Sequence, residues 1–209
     1  MSSETKTRPP DLAPGQFYGK RWVIYSALSE PQIKLEDWRL AIRGLVEHEL
    51  TLSFDELSKM PQVKLVRSFQ CVTQWSIKDV LWEGVAFREL ANLAGVKPEA
   101  KWVMFHSAEG YTAPVPLEDA VVEDSLIAFK MNGQPIPWQQ GFPARPFIPH
   151  LYGWKSAKWL AEIEFIPEYR DGYWEMYGYH ERGDIWEEER FKGHSGKHSK
   201  RRSLGTVPA

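Results

Sequence analysis

Two hundred and nine residues with 26 Lys and Arg against 28 Asp and Glu carry a formal net charge of -2, so the chain as a whole has no electrostatic case for wrapping nucleic acid. Hydrophobic residues make up 43% of it, enough for one domain with a real core, and no apolar run approaches the ~20 residues of a membrane span. The single cysteine, Cys71, excludes an internal disulfide and a Cys-rich zinc site. It also suits a reducing compartment, and with neither an apolar signal core nor a twin arginine near Met1 the expected location is cytoplasmic.

Residues 1–16 and 191–209 lose apolar periodicity and fill with Ser, Gly, Pro and charge, which predicts flexible tails around a body over 17–190. The second tail is basic, with Lys192, Lys197, Lys200, Arg201 and Arg202 and no acid; it could fold onto the more acidic body or simply be solvated. Within the body, 39–43 and 49–53 alternate as strands, and Ser53 with Glu56 forms a capping box that opens a short helix ending before Pro61. Val63, Leu65 and Phe69 share one face of a strand that leads into Cys71, and the polar, Trp-bearing stretch after it reads as a loop. A helix over 87–94 stops at Gly95, strands follow at 101–105 and 111–115, and 116–122 reads as a helical turn. A buried-type strand over 125–131 ends in the hairpin dipeptide Asn132-Gly133, with further strand at 147–149 and 159–166. The class is α+β, mixed and sheet-rich, in a single domain.

Three clusters carry chemistry. Cys71 is either a small buried hydrophobe or, at the end of a strand with a cation such as Arg67 near it, a thiolate able to attack or to bind a metal. Arg145, Lys155, Ser156 and Lys158, gathered by Gly and Pro turns, suit a phosphate, or else balance acids such as Glu162 and Glu164 on a solvated face. No glycine fingerprint of a nucleotide site and no Gly-x-Ser-x-Gly elbow is present. In the aromatic run 172–186, Tyr179 and His180 are either a proton donor and acceptor pair or packing.

The motifs Cys71-Val72-x-x-Trp75-Ser76, Asn132-Gly133-Gln134-Pro135 with Gly141-Phe142-Pro143-x-Arg145, and Gly153-x-Lys155-Ser156-x-Lys158-Trp159-Leu160 resemble the molybdopterin-binding domain of the sulfite oxidase family. The likeness covers 69–163 and is nearest to the small haem-free bacterial members, including the catalytic subunit of methionine sulfoxide reductases. It implies molybdenum on a single molybdopterin (a pyranopterin dithiolene), with Cys71 as the protein's metal ligand, a soft thiolate on a redox metal. It further implies that Arg145 and Lys158, with Ser156 and the main-chain groups of Ser156, Ala157 and Lys158, hold the pterin and its phosphate, that Gln140 stands where relatives carry His or Asn, that Ser107 and Ser26 make further pterin contacts, and that Tyr179 is the active-site tyrosine.

Departures from the family pattern are as informative. Tyr25 occupies the place of a pocket arginine, and the arginine that follows the family cysteine gives way to the region of Trp75 and Ser76. A doubly charged substrate such as sulfite would be poorly compensated. The expectation is an oxygen-atom or two-electron transfer on a small substrate, neutral or weakly charged rather than sulfite, with electrons exchanged with a separate partner. Two rivals are a non-catalytic pterin-binding scaffold and a metal-free thiol enzyme pairing Cys71 with a histidine such as His106.

Overall fold

The computed structural model describes residues 11–193. Its elements in chain order are β1 (Phe17–Tyr18), β2 (Arg39–Gly44), β3 (Leu50–Ser53), α1 (Phe54–Lys59), β4 (Gln62–Gln70), β5 (Trp75–Ala86), α2 (Phe87–Ala94), β6 (Trp102–Ser107), β7 (Thr112–Pro116), α3 (Leu117–Ala120), β8 (Leu126–Met131), β9 (Gln134–Pro135), β10 (Arg145–Phe147) and β11 (Leu160–Ile166). Short 3-10 turns over Trp138–Gln140, Gly153–Lys155 and Glu175–Tyr177 fall in the connections. This is the mixed, sheet-rich α+β class expected from the sequence.

One sheet runs β1-β5-β8-β10, with β4 beside β5 and β9 beside β8; the other runs β3-β2-β11-β6-β7. In the second, β11 pairs parallel to β2 and antiparallel to β6, which draws the last strand among the described residues into the middle of a sheet begun by residue 39. The principal core lies between the sheets and under α1 and α2, built from Leu40 and Ile42 of β2, Phe87 and Leu90 of α2, Phe105 of β6, Ile127 and Phe129 of β8, and Ile163 and Phe165 of β11. A smaller aromatic cluster of Phe69, Trp82 and Phe147 with Leu126 and Ala128 covers the other face of β8. With both faces covered, β8 reads as a continuous apolar run rather than an alternation.

Local signals explain the boundaries. Ser53 and Glu56 make the reciprocal capping box at the start of α1, and α2 stops at Gly95, which adopts φ 65°. Asn132 and Gly133, at φ 53° and 76°, form the two-residue turn between β8 and β9, the left-handed pair that a tight hairpin demands.

Two expectations need correction. The loop expected after Cys71 shrinks to the turn over 72–74: Trp75–Ala86 is the twelve-residue strand β5, paired with β4 on one side and β8 on the other. Its alternation is masked by ladder irregularities at Arg67/Phe69 and Glu83/Gly84, which shift the faces within one run. The packed body also starts before residue 17. Ala13 is fully buried with Tyr152, Trp154 and Ile185, Leu12 is buried too, and Asp11 accepts hydrogen bonds from Tyr18 (2.5 Å) and Ser68 (2.7 Å). Two apolar residues are too few to show a period. At the other end Lys192 pairs with Asp171 at 2.7 Å. Residues 1–10 and 194–209, which hold most of the expected tails, lie outside the described residues.

Candidate active site

Cys71 sits in the tight turn that joins β4 to β5. The turn closes through the Cys71 amide on the Trp75 carbonyl (2.9 Å) and the Gln74 amide on the Cys71 carbonyl (3.0 Å), with Gln74 at φ 79°. A thiol on a turn between two long paired strands is held rigidly; its Sγ lies 3.1 Å from Thr73 Oγ1. It faces a cavity of about 610 Å³ walled by Trp22, Trp75, Trp159 and Trp174, by Val23, Ile24, Tyr25 and Ala27, by Arg145 at the start of β10, and by the connections that carry Gln140, Gly153, Ser156, Lys158 and Tyr179.

Arg145 is buried, yet no carboxylate is among its hydrogen-bond partners: Nε donates to Ser156 Oγ (2.8 Å), Nη2 to the Ser156 carbonyl (2.8 Å) and Nη1 to the Gln140 carbonyl (2.7 Å). Burial pulls its pKa down to about 10, which leaves it charged at neutral pH. Lys158 Nζ donates to the carbonyls of Tyr25 (2.8 Å) and Gln139 (3.0 Å) and to Ser26 Oγ (2.9 Å), and lies 4.2 Å from the Trp159 ring centre. Burial, then the charge of Arg145, lowers its pKa to about 8. Two cations thus share one wall without a carboxylate hydrogen-bonded to either among the described residues. Gln140 Oε1 and Glu109 Oε2 are buried there without a partner among the described residues, and Glu109 is pushed up to about 7 by burial, with Lys158 opposing.

A buried polar atom left unpaired costs about 1–3 kcal/mol, so such a wall is built to receive a group that supplies the missing partners. An anion with hydrogen-bonding edges fits the cations and orphan atoms, and a soft metal fits the lone thiol. Gly153 keeps the wall close: a Cβ there would stand 2.2 Å from the Phe69 ring.

Tyr179 closes the cavity from the far side, its ring packed on Trp154 (5.2 Å), Trp174 (5.0 Å) and Phe191 (5.2 Å). Burial, then the charges of Cys71 and Tyr25, raises its pKa and keeps the hydroxyl protonated. Lys155 secures this segment and not an anion. Its fully buried Nζ donates to Glu175 Oε1 (2.7 Å), to the Pro114 carbonyl (2.7 Å) and to the Glu181 carbonyl, while Trp154 Nε1 donates to the same Glu175 oxygen (2.8 Å).

Of the residues singled out by sequence, Cys71, Gln140, Arg145, Ser156, Lys158 and Tyr179 meet at this cavity. Ser26 stands behind Lys158 and donates to Glu30 (2.7 Å). Ser107 and Ala157 do not line it. Ser107 is buried at the end of β6, and Glu109 reaches the cavity from the following turn; the Ala157 side chain packs into the principal core. Arg67 turns away from the thiol to Asp124 (3.3 Å). His106 lies on the other sheet against Glu164 (2.9 Å), so the thiol and this histidine form no pair. Sequence reasoning missed Trp22 and Glu109; the Glu109-Gly110 turn after a strand was the only signal for the second.

Residues 27–174 match the family described as oxidoreductase molybdopterin binding domain. The uncharacterised oxidoreductase YuiH of Bacillus subtilis is 46% identical over 154 residues, 74% of this chain and 78% of that protein. The catalytic subunit MsrP of the protein-methionine-sulfoxide reductase of Campylobacter jejuni is 30% identical over 71% of this chain, which spans only 55% of that relative. Among solved structures, the sulfane dehydrogenase SoxCD of Paracoccus pantotrophus superposes with a TM-score of 0.62 at 26% identity, over 66% of this chain and 40% of that one. A cavity with a thiol, two cations hydrogen-bonded to no carboxylate among the described residues and unsatisfied oxygens, inside this fold and with these relatives, places the chain in the molybdopterin-binding oxidoreductase domain family, as a small member of the sulfite oxidase type.

Proposed function

We propose that this oxidoreductase transfers an oxygen atom, or two electrons with protons, to or from a small uncharged substrate other than sulfite, and exchanges the electrons with a separate partner. When bound, molybdenum on its single pyranopterin supplies the two-electron change of oxidation level. Cys71 anchors and tunes the metal through its thiolate. Arg145 and Lys158 neutralise the phosphate-bearing pterin, Ser156 and the main chain of 156–158 orient it, and Gln140 offers its unpaired Oε1 to a pterin N–H. Ser26 acts through Lys158. The protonated Tyr179 hydroxyl donates to the substrate oxygen and so stabilises charge that develops there, while Trp22, Trp75 and Trp174 exclude water.

The observation that carries this reading is the pairing of an apolar mouth with a cationic interior. Both cavity cations are engaged on the wall that suits the pterin, and Tyr25 occupies the place that the family likeness gives to an arginine. A dianionic substrate would be stripped of water without a counter-charge.

Arg145→Lys tests the cofactor assignment: it keeps the charge and removes the fork. The variant, purified from a molybdenum-replete host, is expected to hold pterin roughly ten- to a hundredfold less tightly, as befits one lost charge-assisted hydrogen bond worth about 1.5–3 kcal/mol. Pterin fluorescence per folded protein measures it, and retention equal to the parent would contradict the role.

A further inference from the structure

The turn that presents Cys71 leaves two carbonyls outside the ladder of β4 and β5, and each is met by a side chain from opposite ends of the described chain. Gln16 Nε2 donates to the Cys71 carbonyl at 2.9 Å, and its Oε1 accepts from Ser76 Oγ at 3.3 Å. Arg190 Nη1 donates to the Val72 carbonyl, and Nη2 to the Pro14 carbonyl at 3.3 Å. The Arg190 guanidinium also stacks 4.7 Å from the centre of the Tyr152 ring, on the connection that leads to Ser156 and Lys158. Its side chain is only 14% exposed, with Glu188 beside it at 3.9 Å. Gly15, at φ 67°, lets the two flanks meet: a Cβ there would stand 2.7 Å from Glu188 Oε1 and 3.2 Å from Arg190 Nη2.

Both donors lie outside residues 27–174, the span that matches the family. From this geometry we infer that Gln16 and Arg190 are positioning residues: a clamp made by the chain's own flanks that fixes the Cys71–Gln74 turn and aims its thiol into the cavity. The physical basis is that a turn held only by its own main-chain hydrogen bonds, the Gln74 amide on the Cys71 carbonyl among them, can still rotate its peptide planes, whereas one whose Cys71 and Val72 carbonyls also accept from fixed side-chain donors cannot without losing a further hydrogen bond, one of them charge-assisted. Arg190 also ties the metal-ligand turn to the pterin-binding connection through Tyr152, so the two halves of the site keep their spacing. The inference rests on Cys71 being the working thiol.

Amide hydrogen exchange on the full chain as purified tests it. In Arg190→Ala the peptide over 70–76 is expected to exchange about tenfold faster while β8 over 126–131 stays within about twofold of the parent, the mark of a local rather than a global opening. Arg190→Lys, which can still donate to the Val72 carbonyl, is expected to recover most of the protection. In the molybdenum-loaded protein the sulfur-to-metal absorption band should shift in Arg190→Ala and return in Arg190→Lys. Equal acceleration of the turn and β8, or a turn unchanged within about twofold, would overturn the clamp and leave Arg190 a general structural tie. Should Arg190→Ala fail to fold, Gln16→Ala, which removes one neutral hydrogen bond, is read by the same two peptides against the same thresholds. Parent and variants are compared at equal molybdenum content, so that a change at the turn reports the clamp and not the metal, and a failed clamp is distinguishable from a failed ligand assignment, which Cys71→Ser reads.

Discussion

Cys71→Ser is expected to fold like the parent and to lose turnover by a thousandfold or more, about 4 kcal/mol in activation free energy. The two halves of this expectation have separate causes. The turn is held by main-chain hydrogen bonds from Cys71 to Trp75 and from Gln74 to Cys71, and the Sγ contact is with Thr73 Oγ1, so exchanging sulfur for oxygen removes no packing of consequence. The chemistry is another matter. A serine hydroxyl stays protonated at neutral pH and is a hard donor, whereas a thiolate is a soft one matched to a redox metal. Reduction of an uncharged sulfoxide such as dimethyl sulfoxide, driven by a reduced dye, reads the effect alongside a thermal unfolding curve. Full activity in a folded variant would remove Cys71 from the metal.

Lys155→Met should lower the free energy of unfolding by about 3–5 kcal/mol, the largest stability effect expected of a single substitution near the site. The cause is the partner left behind. Lys155 and Glu175 are almost wholly inaccessible. Removing the ammonium strands the carboxylate with the Trp154 indole N–H on one oxygen and nothing on Oε2 among the described residues. The carbonyls of Pro114 and Glu181 lose their donor as well. Lys155→Met combined with Glu175→Gln should recover a large part of the loss, because a neutral amide tolerates burial far better than an unpaired charge. Denaturant unfolding of the single and double variants measures both, and a single-variant loss below about 1 kcal/mol would mean that the pair is not the tie between the Gly153–Lys155 turn and the segment carrying Tyr179.

The Lys155 case shows where sequence reading stops. Residue type suggested an anion-binding cation alongside Arg145 and Lys158, and nothing in the chain near 155 announces that its partner lies at Glu175 inside an aromatic run. Ion pairs between distant segments leave no local trace. Elements specified by short-range chemistry were legible instead: the Ser53 capping box, the helix stopped by Gly95, the Asn132-Gly133 hairpin. β5 was hidden because two ladder irregularities break its period, and a pattern argument needs an unbroken one. Most of the site was legible for a different reason. Cys71 sits on a tight turn between two paired strands, Arg145 opens β10 just after the Gly141 and Pro143 bend, and Ser156 and Lys158 follow the Gly153–Lys155 turn, so short-range structure keeps the motif spacing fixed. Ser107 shows the limit of that spacing, since it locates a backbone but not the direction of a side chain; Glu109, two residues from Ser107, reaches the cavity instead.

The most direct measurement is elemental analysis of the parent protein purified from a molybdenum-replete host, with oxidised-pterin fluorescence on the same sample. Near-stoichiometric molybdenum, with one pterin for each metal, is the predicted result. Folded protein from a host shown to make the cofactor, holding neither molybdenum nor pterin, would contradict the assignment of the cavity to that group and, with it, the roles given to Cys71, Arg145 and Lys158.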